Sequence, residues 1–171
     1  KGLQEVKLMH ADATERNDKY GLAMANYAMG NAYNNMGYND EAISCYQRSL
    51  SLFGKRLDHA ETVNDVYSYY CDALHEKKDY QAMERITAQW KIFLDTFVNQ
   101  REKANEESVD VWYAYYYLAC VQKDIGQNRI EDAERELQEV AKRAEGHGAF
   151  IPLSLLYYRI ELEFQKKNYD E

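Results

Sequence analysis

The stretch Asn26-Tyr27-Ala28-Met29-Gly30-Asn31-Ala32-Tyr33-Asn34-Asn35-Met36-Gly37-Tyr38-Asn39-Asp40-Glu41-Ala42-Ile43-Ser44-Cys45-Tyr46-Gln47-Arg48-Ser49-Leu50 decides the fold. Gly37 divides it into two helical runs, which extend outward to 23–36 and 39–53. Tyr46 and Leu50 stand four apart in the second run, so they share one helix face. Further along, Tyr80, Met83, Ile86, Trp90, Phe93, Leu94, Phe97 and Val98 recur at steps of three and four, the mark of one face of a long helix. Strand-like alternation of comparable length is absent. Breaks at Gly54, Lys77-Lys78-Asp79, Gly126-Gln127-Asn128 and Gly146-His147-Gly148 delimit the remaining helices. The expectation is all-α, with seven or eight helices. These are 3–22 with a candidate break near Asn17, 23–36, 39–53, 59–77, 80–104, 108–125, 129–144 and 150–166.

Composition narrows the class. The chain has 171 residues, one proline and eight glycines, too few breakers for a collagen-like, disordered or β-sandwich chain. No uncharged stretch approaches the ~18 apolar residues of a membrane span, so this segment is expected to make no membrane contact. With 29 acidic against 21 basic residues the net charge is −8, which repels phosphate backbones and argues against direct nucleic-acid binding. Sixteen tyrosines accompany a mean hydropathy of −0.73, so much of the apolar content lies in amphipathic rings. Cys45, Cys71 and Cys120 are scattered and odd in number, which reads as buried thiols rather than a disulfide framework.

The helices repeat in pairs. Turns are expected at Gly37, Lys78, Gly126 and Lys167, each followed by a similar phrase: Tyr38-Asn39-Asp40-Glu41-Ala42, Asp79-Tyr80-Gln81-Ala82, Ile130-Glu131-Asp132-Ala133 and Asn168-Tyr169-Asp170-Glu171. A period of roughly 40 residues is the signature of stacked helical hairpins, none of which can bury its apolar face alone. The pairs are expected at 23–54, 59–104 and 108–144, with partial repeats at 3–22 and 150–171. Together they form a single domain over 1–171, cut from a longer protein inside a repeat.

The first pair closely resembles a tetratricopeptide repeat (TPR). In that likeness Gly30 lets the two helices approach, Tyr33 fills the space beside it, Ala42 is the small residue opposite, and Tyr46 and Leu50 seal the hairpin. Asn26 stands where the family has a Trp, and no Pro follows Phe53. The later pairs are degenerate: Tyr70-Cys71 takes the place of the small-residue contact and the register at Ala82 or Met83 is open by one. In the third pair Leu118-Ala119 resembles the first-helix pair, Ala133, Leu137 and Val140 fit the second helix, and two extra residues are placed in the turn. The resemblance implies a right-handed superhelix of antiparallel hairpins whose first helices line a concave groove. Carried over by position, the groove residues are Tyr27, Asn31 and Asn34 from the first pair, Ser68, Asp72 and His75 from the second, and Tyr113, Tyr116, Cys120 and Lys123 from the third. Tyrosines and Asn suit a protein or peptide partner.

One TPR subfamily clamps a carboxylate with Lys, Asn and Arg. Asn31 matches it, but Tyr27 stands at the Lys position and the acidic Asp72 would repel a carboxylate, which disfavours that partner. The Tyr113–Tyr117 run lacks the interleaved Lys or Arg that a nucleic-acid stack needs. Catalysis has no constellation: His10, His59, His75 and His147 are isolated, and the acidic clusters, such as Glu106-Glu107, read as solvated faces. Metal-ligand spacing and phosphate loops are absent, so no metal or cofactor is expected. The reading is a non-enzymatic interaction module. Its general texture also resembles the repeat region of bacterial membrane-anchored two-component regulators, which would place it in the periplasm. A cytoplasmic scaffold and an enzyme with an unrecognised site are the alternatives.

Overall fold

The computed structural model describes residues 2–54, 57–100, 106–144 and 150–169. Among them are eight helices and no strand: α1 (Gly2–Glu15), α2 (Lys19–Asn35), α3 (Asn39–Phe53), α4 (Ala60–Glu76), α5 (Tyr80–Gln100), α6 (Glu106–Gly126), α7 (Ile130–Ala144) and α8 (Phe150–Tyr169). None is long and apolar enough to cross a membrane among the described residues. The chain forms two compact units, Lys1–Asp79 and Tyr80–Glu171. In the first, α2 packs on α1, α3 and α4; in the second, α6 packs on α5, α7 and α8.

One local device builds four of the helix connections. Asn17, Gly37, Lys78 and Asn128 each adopt a left-handed backbone, at φ 52°, 77°, 57° and 59°. In every case the amide of that residue donates to the carbonyl three residues back, and the next amide donates to the carbonyl five back. For Gly37 these bonds are Gly37 N to Asn34 O at 2.9 Å and Tyr38 N to Tyr33 O at 3.0 Å; Lys78–Asp79 and Asn128–Arg129 repeat them. This Schellman arrangement satisfies the orphan carbonyls of the first helix, and the second begins two residues after the left-handed one. The hydrophobic contact that accompanies it is present as a Tyr33–Tyr38 ring pair at 6.4 Å. At the Asn128 turn the equivalent pair is ionic, Arg129 to Asp124 at 2.5 Å.

These turns correct three expectations. The break near Asn17 is real and is a full turn, with Asp18 capping the Gly21 amide at 2.9 Å. Helix α2 therefore begins at Lys19, where the sequence reading carried the first helix on to residue 22. The third turn closes on Asn128, two residues beyond Gly126, and contains no extra residues. Gly126 is the last residue of α6, and its missing side chain admits the Tyr80 ring: a Cβ there would lie 2.1 Å from Tyr80 Cζ. No turn forms at Lys167, because α8 continues through it to Tyr169. The break at Gly146-His147-Gly148 and the end of the 80–104 helix lie outside the described residues, as do the side chains of Glu106 and Glu107.

With the turns aligned, the cores align too. Counted from the left-handed residue, positions five, eight, nine, twelve and sixteen are Ala42, Cys45, Tyr46, Ser49 and Phe53 in α3. In α5 they are Met83, Ile86, Thr87, Trp90 and Leu94, and all ten are buried. Met83, rather than Ala82, thus corresponds to Ala42. Ala133, Leu137 and Val140 continue the series in α7. In the first hairpin the Tyr46 ring covers Gly30, where a Cβ would come within 2.5 Å of it, and the Ser49 hydroxyl donates to the Ala23 carbonyl at 2.9 Å. Ala42 is buried; Tyr33 and Leu50 are half-buried. All three cysteines are buried and free.

Candidate functional site

In the first unit the expected site residues fall on neighbouring helices, α2 and α4. Tyr27, Asn31 and Asn34 stand ten, six and three residues before Gly37, and Ser68, Asp72 and His75 stand at the same offsets before Lys78. Identical turns therefore give the two sets identical helical phase. All six side chains are half-buried. Tyr27 meets the Tyr69 ring across the helices at 6.1 Å. Tyr69 itself is 42% exposed, so this pair offers an open aromatic edge. Beneath it, the Tyr46 hydroxyl donates to Asn31 Oδ1 at 2.8 Å, and Asn31 also hydrogen-bonds Tyr27. Asn31 thereby ties Tyr27 to the hairpin core.

Two carboxyls border these rings. Burial pushes Asp72 up to about 6, reinforced by the charge of Glu76. Burial also raises Asp65, which Glu61 raises further. Asp65 and Tyr69 in turn raise Tyr27, after burial, the largest cause. A desolvated carboxylate among phenol rings favours a cation: the rings present negative faces and the acid supplies the counter-charge. Sequence reasoning missed Asp65, although it lies seven residues before Asp72, two helical turns along the same face. Asn34 and His75 sit where their own carbonyls accept the turn amides of Gly37 and Lys78, at 2.9 and 2.8 Å.

The third-pair residues are placed differently. With the turn at Asn128, the positions equivalent to Tyr27, Asn31 and Asn34 are Leu118, Gln122 and Ile125, and Leu118 and Ile125 are buried. Tyr116, Cys120 and Lys123 match the three offsets only for a turn at Gly126, and so stand two residues, more than half a helical turn, out of that phase. Tyr116 packs edge-on against Trp90 of α5 at 5.7 Å, and it hydrogen-bonds Cys120. Burial raises both groups, and Cys120 is 2% exposed, so its thiol faces inward. Lys123 is largely buried and lies 3.4 Å from the buried Asp124.

Tyr113 is held from three sides. Its hydroxyl donates to Asp95 Oδ1 at 2.6 Å, and the Lys91 ammonium and the Arg143 guanidinium lie 5.4 and 5.5 Å from its ring centre. Arg143 also covers Tyr117 at 4.9 Å and bonds Glu139 at 2.6 Å. Lys91 and Tyr113 hold the Asp95 carboxyl below its ordinary range. These cations are matched internally, so the cluster ties α5, α6 and α7 together. Among the described residues no group of three His, Cys, Asp or Glu could hold a metal ion.

No family model, curated protein or solved structure matches this chain.

Proposed function

We propose that the chain is a non-enzymatic, TPR-like peptide-binding module. The α2–α4 face is its recognition surface, and an extended segment carrying Lys or Arg is its partner. One observation carries this: Tyr27–Asn31–Asn34 and Ser68–Asp72–His75 stand in the same phase before identical Schellman turns, and the two triplets fall on packed helices. Repetition of a presented triplet is what a peptide-reading array needs, since each hairpin offers the same row of side chains to successive parts of the ligand. The resemblance of the first hairpin to a TPR and the shared burial pattern of α3 and α5 support the repeat reading. Tyr27 and Tyr69 supply rigid contact area, and Asp72 supplies the charge that selects a basic residue.

The test is a fluorescence-anisotropy screen of extended peptides differing only in charge. Lys- or Arg-bearing peptides are expected to bind, and their acidic counterparts are not. Asp72→Asn should weaken the selected peptide at least ~10-fold, because it removes the counter-charge of a partly desolvated pair. Tyr69→Ala should weaken it without lowering Tm. Equal binding of both peptide charges, or affinity unchanged in both variants, would sink the assignment.

A further inference from the structure

Three side chains of the first hairpin form a hydrogen-bond chain whose direction is fixed from its buried end. Tyr46 of α3 is fully buried over Gly30, and its hydroxyl donates to Asn31 Oδ1 at 2.8 Å. That leaves the Asn31 NH2 group, which can only donate, for Tyr27. The Asn31 contact favours the ionised phenol against the pull of burial, as a donor to the phenol oxygen does. Tyr27 therefore receives a hydrogen bond from Asn31 and keeps its own proton to give elsewhere. Among the described residues nothing accepts that proton: Asp65 and Tyr69 act on Tyr27 through charge, without a hydrogen bond. Burial and the charge of Asp65 both hold the phenol in its protonated form, so the donor persists at neutral pH.

Given the peptide-binding reading of the α2–α4 face, on which this rests, we propose that the Tyr27 hydroxyl donates to a backbone carbonyl of the basic segment, with Asn31 as the positioning residue that aims it. The carboxyls of Asp65 and Asp72 border the same rings and repel an anionic acceptor, which leaves a neutral one. A backbone carbonyl is the neutral acceptor that every extended segment carries. The α4 set supplies the complementary half. Ser68 and Asp72 stand where Tyr27 and Asn31 stand, ten and six residues before their turn. There no buried hydroxyl takes up the acceptor: the Asp72 carboxyl makes no hydrogen bond among the described residues, and the charge that acts on it is that of Glu76. Helix α2 thus offers a donor and α4 an acceptor. A basic residue in an extended segment matches both, through its carbonyl and its cationic side chain. The main-chain bond adds affinity for any sequence, and the carboxyl selects the charge.

The probe is a fluorescein-labelled peptide of Ser and Thr around one central Arg, read by anisotropy. Companion peptides replace one amide at a time by an ester, whose carbonyl is the weaker acceptor. With the unaltered protein, one ester position should weaken binding about 5-fold, the strength of a neutral hydrogen bond. Tyr27→Phe should weaken the all-amide peptide by a similar factor and abolish the penalty at that position, a coupling that a loss of stability does not produce. Asn31→Asp, measured at about pH 8 so that the new carboxyl is ionised, accepts from both Tyr46 and Tyr27 and turns the Tyr27 proton inward. It should weaken binding at least ~3-fold, although it adds a charge that attracts the peptide. Full affinity in Tyr27→Phe, an ester penalty that survives in it, or tighter binding by Asn31→Asp would overturn the role given to Tyr27 and leave the peptide-binding reading standing. Failure of the unaltered protein to bind the all-amide peptide would remove both.

Discussion

The α2–α3 and α6–α7 hairpins share a turn but use glycine for opposite ends. In the first, Gly37 is the left-handed residue and Gly30 lies seven residues earlier, under the fully buried Tyr46 ring. In the second, Asn128 takes the left-handed role, Val121 stands at the Gly30 position, and Gly126 receives Tyr80, which is half-buried and belongs to α5. The turn is set by backbone hydrogen bonds, which several residue types can satisfy. The contact behind it is set by the volumes that meet there. A repeat can therefore keep its connection while its packing drifts, and the presented face drifts with the packing: Tyr27, Asn31 and Asn34 become Leu118, Gln122 and Ile125.

The largest expected difference between the hairpins is steric. Gly30→Ala places a methyl against a ring with no room to move and should cost about 2 kcal/mol by overpacking, read as a lower urea midpoint. Gly126→Ala comes closer still, 2.1 Å from Tyr80 Cζ, but it meets the far end of a half-buried side chain that can shift. The ~1 kcal/mol gain of Ala over Gly in a helix should offset the clash and leave stability nearly unchanged. Equal losses in the two variants would mean that Tyr80 is as confined as Tyr46.

Next in size is a pH effect tied to the first unit. The Asp72 carboxyl sits near 6 in the fold against an ordinary 3.8, so the folded state holds its proton more tightly than the unfolded chain. That group's contribution is most favourable below about pH 4 and is lost as pH rises through about 6. Asp72→Asn should therefore stabilise the protein by about 1 kcal/mol, after discounting for solvent screening, at pH 7.5 and by nothing near pH 3.5, in paired thermal melts. A Tm difference that ignores pH would show that the carboxyl is freely hydrated. Gln122, the equivalent residue of α6, carries no such charge. A carboxyl that weakens the fold when ionised is consistent with the recognition role proposed for it.

The smallest test compares the turns themselves. Gly37→Ala forces a Cβ into the left-handed region and should lose about 1 kcal/mol. Asn128→Gly relieves the same strain and should gain a few tenths to 1 kcal/mol. Opposite signs, measured by chemical denaturation, would establish that both turns are the same device.

Much of this fold could be read before any coordinates. The helices, the turns at Gly37 and Lys78 and the phase of Tyr27, Asn31, Asn34, Asp72 and His75 all follow from interactions within a few residues. The misplacement of the third set has a specific cause. Glycine is the strongest left-handed signal in a sequence, so Gly126 drew the turn two residues early, while Asn128 gave only the weaker asparagine signal. The true role of Gly126 depends on Tyr80, more than forty residues away, and no local pattern reports it. The two-sided α8 posed a related difficulty: apolar residues on opposite faces, such as the buried Leu162 and the exposed Phe164, oppose each other's periodicity, and only packing distinguishes the inner face from the outer.

The tyrosines divide along the same line. Their number and their helical setting were the sequence's own doing, because side-chain spacing against a 3.6-residue turn is a local property. Which of them present a surface was decided by tertiary contacts. Tyr46 disappears over Gly30, Tyr116 turns to Trp90, Tyr113 is held by Lys91, Asp95 and Arg143, and Tyr27 and Tyr69 are left at the surface. A helix specifies the directions in which its side chains point, but burial is a property of the neighbour that arrives on each side, and that neighbour is chosen by the whole chain.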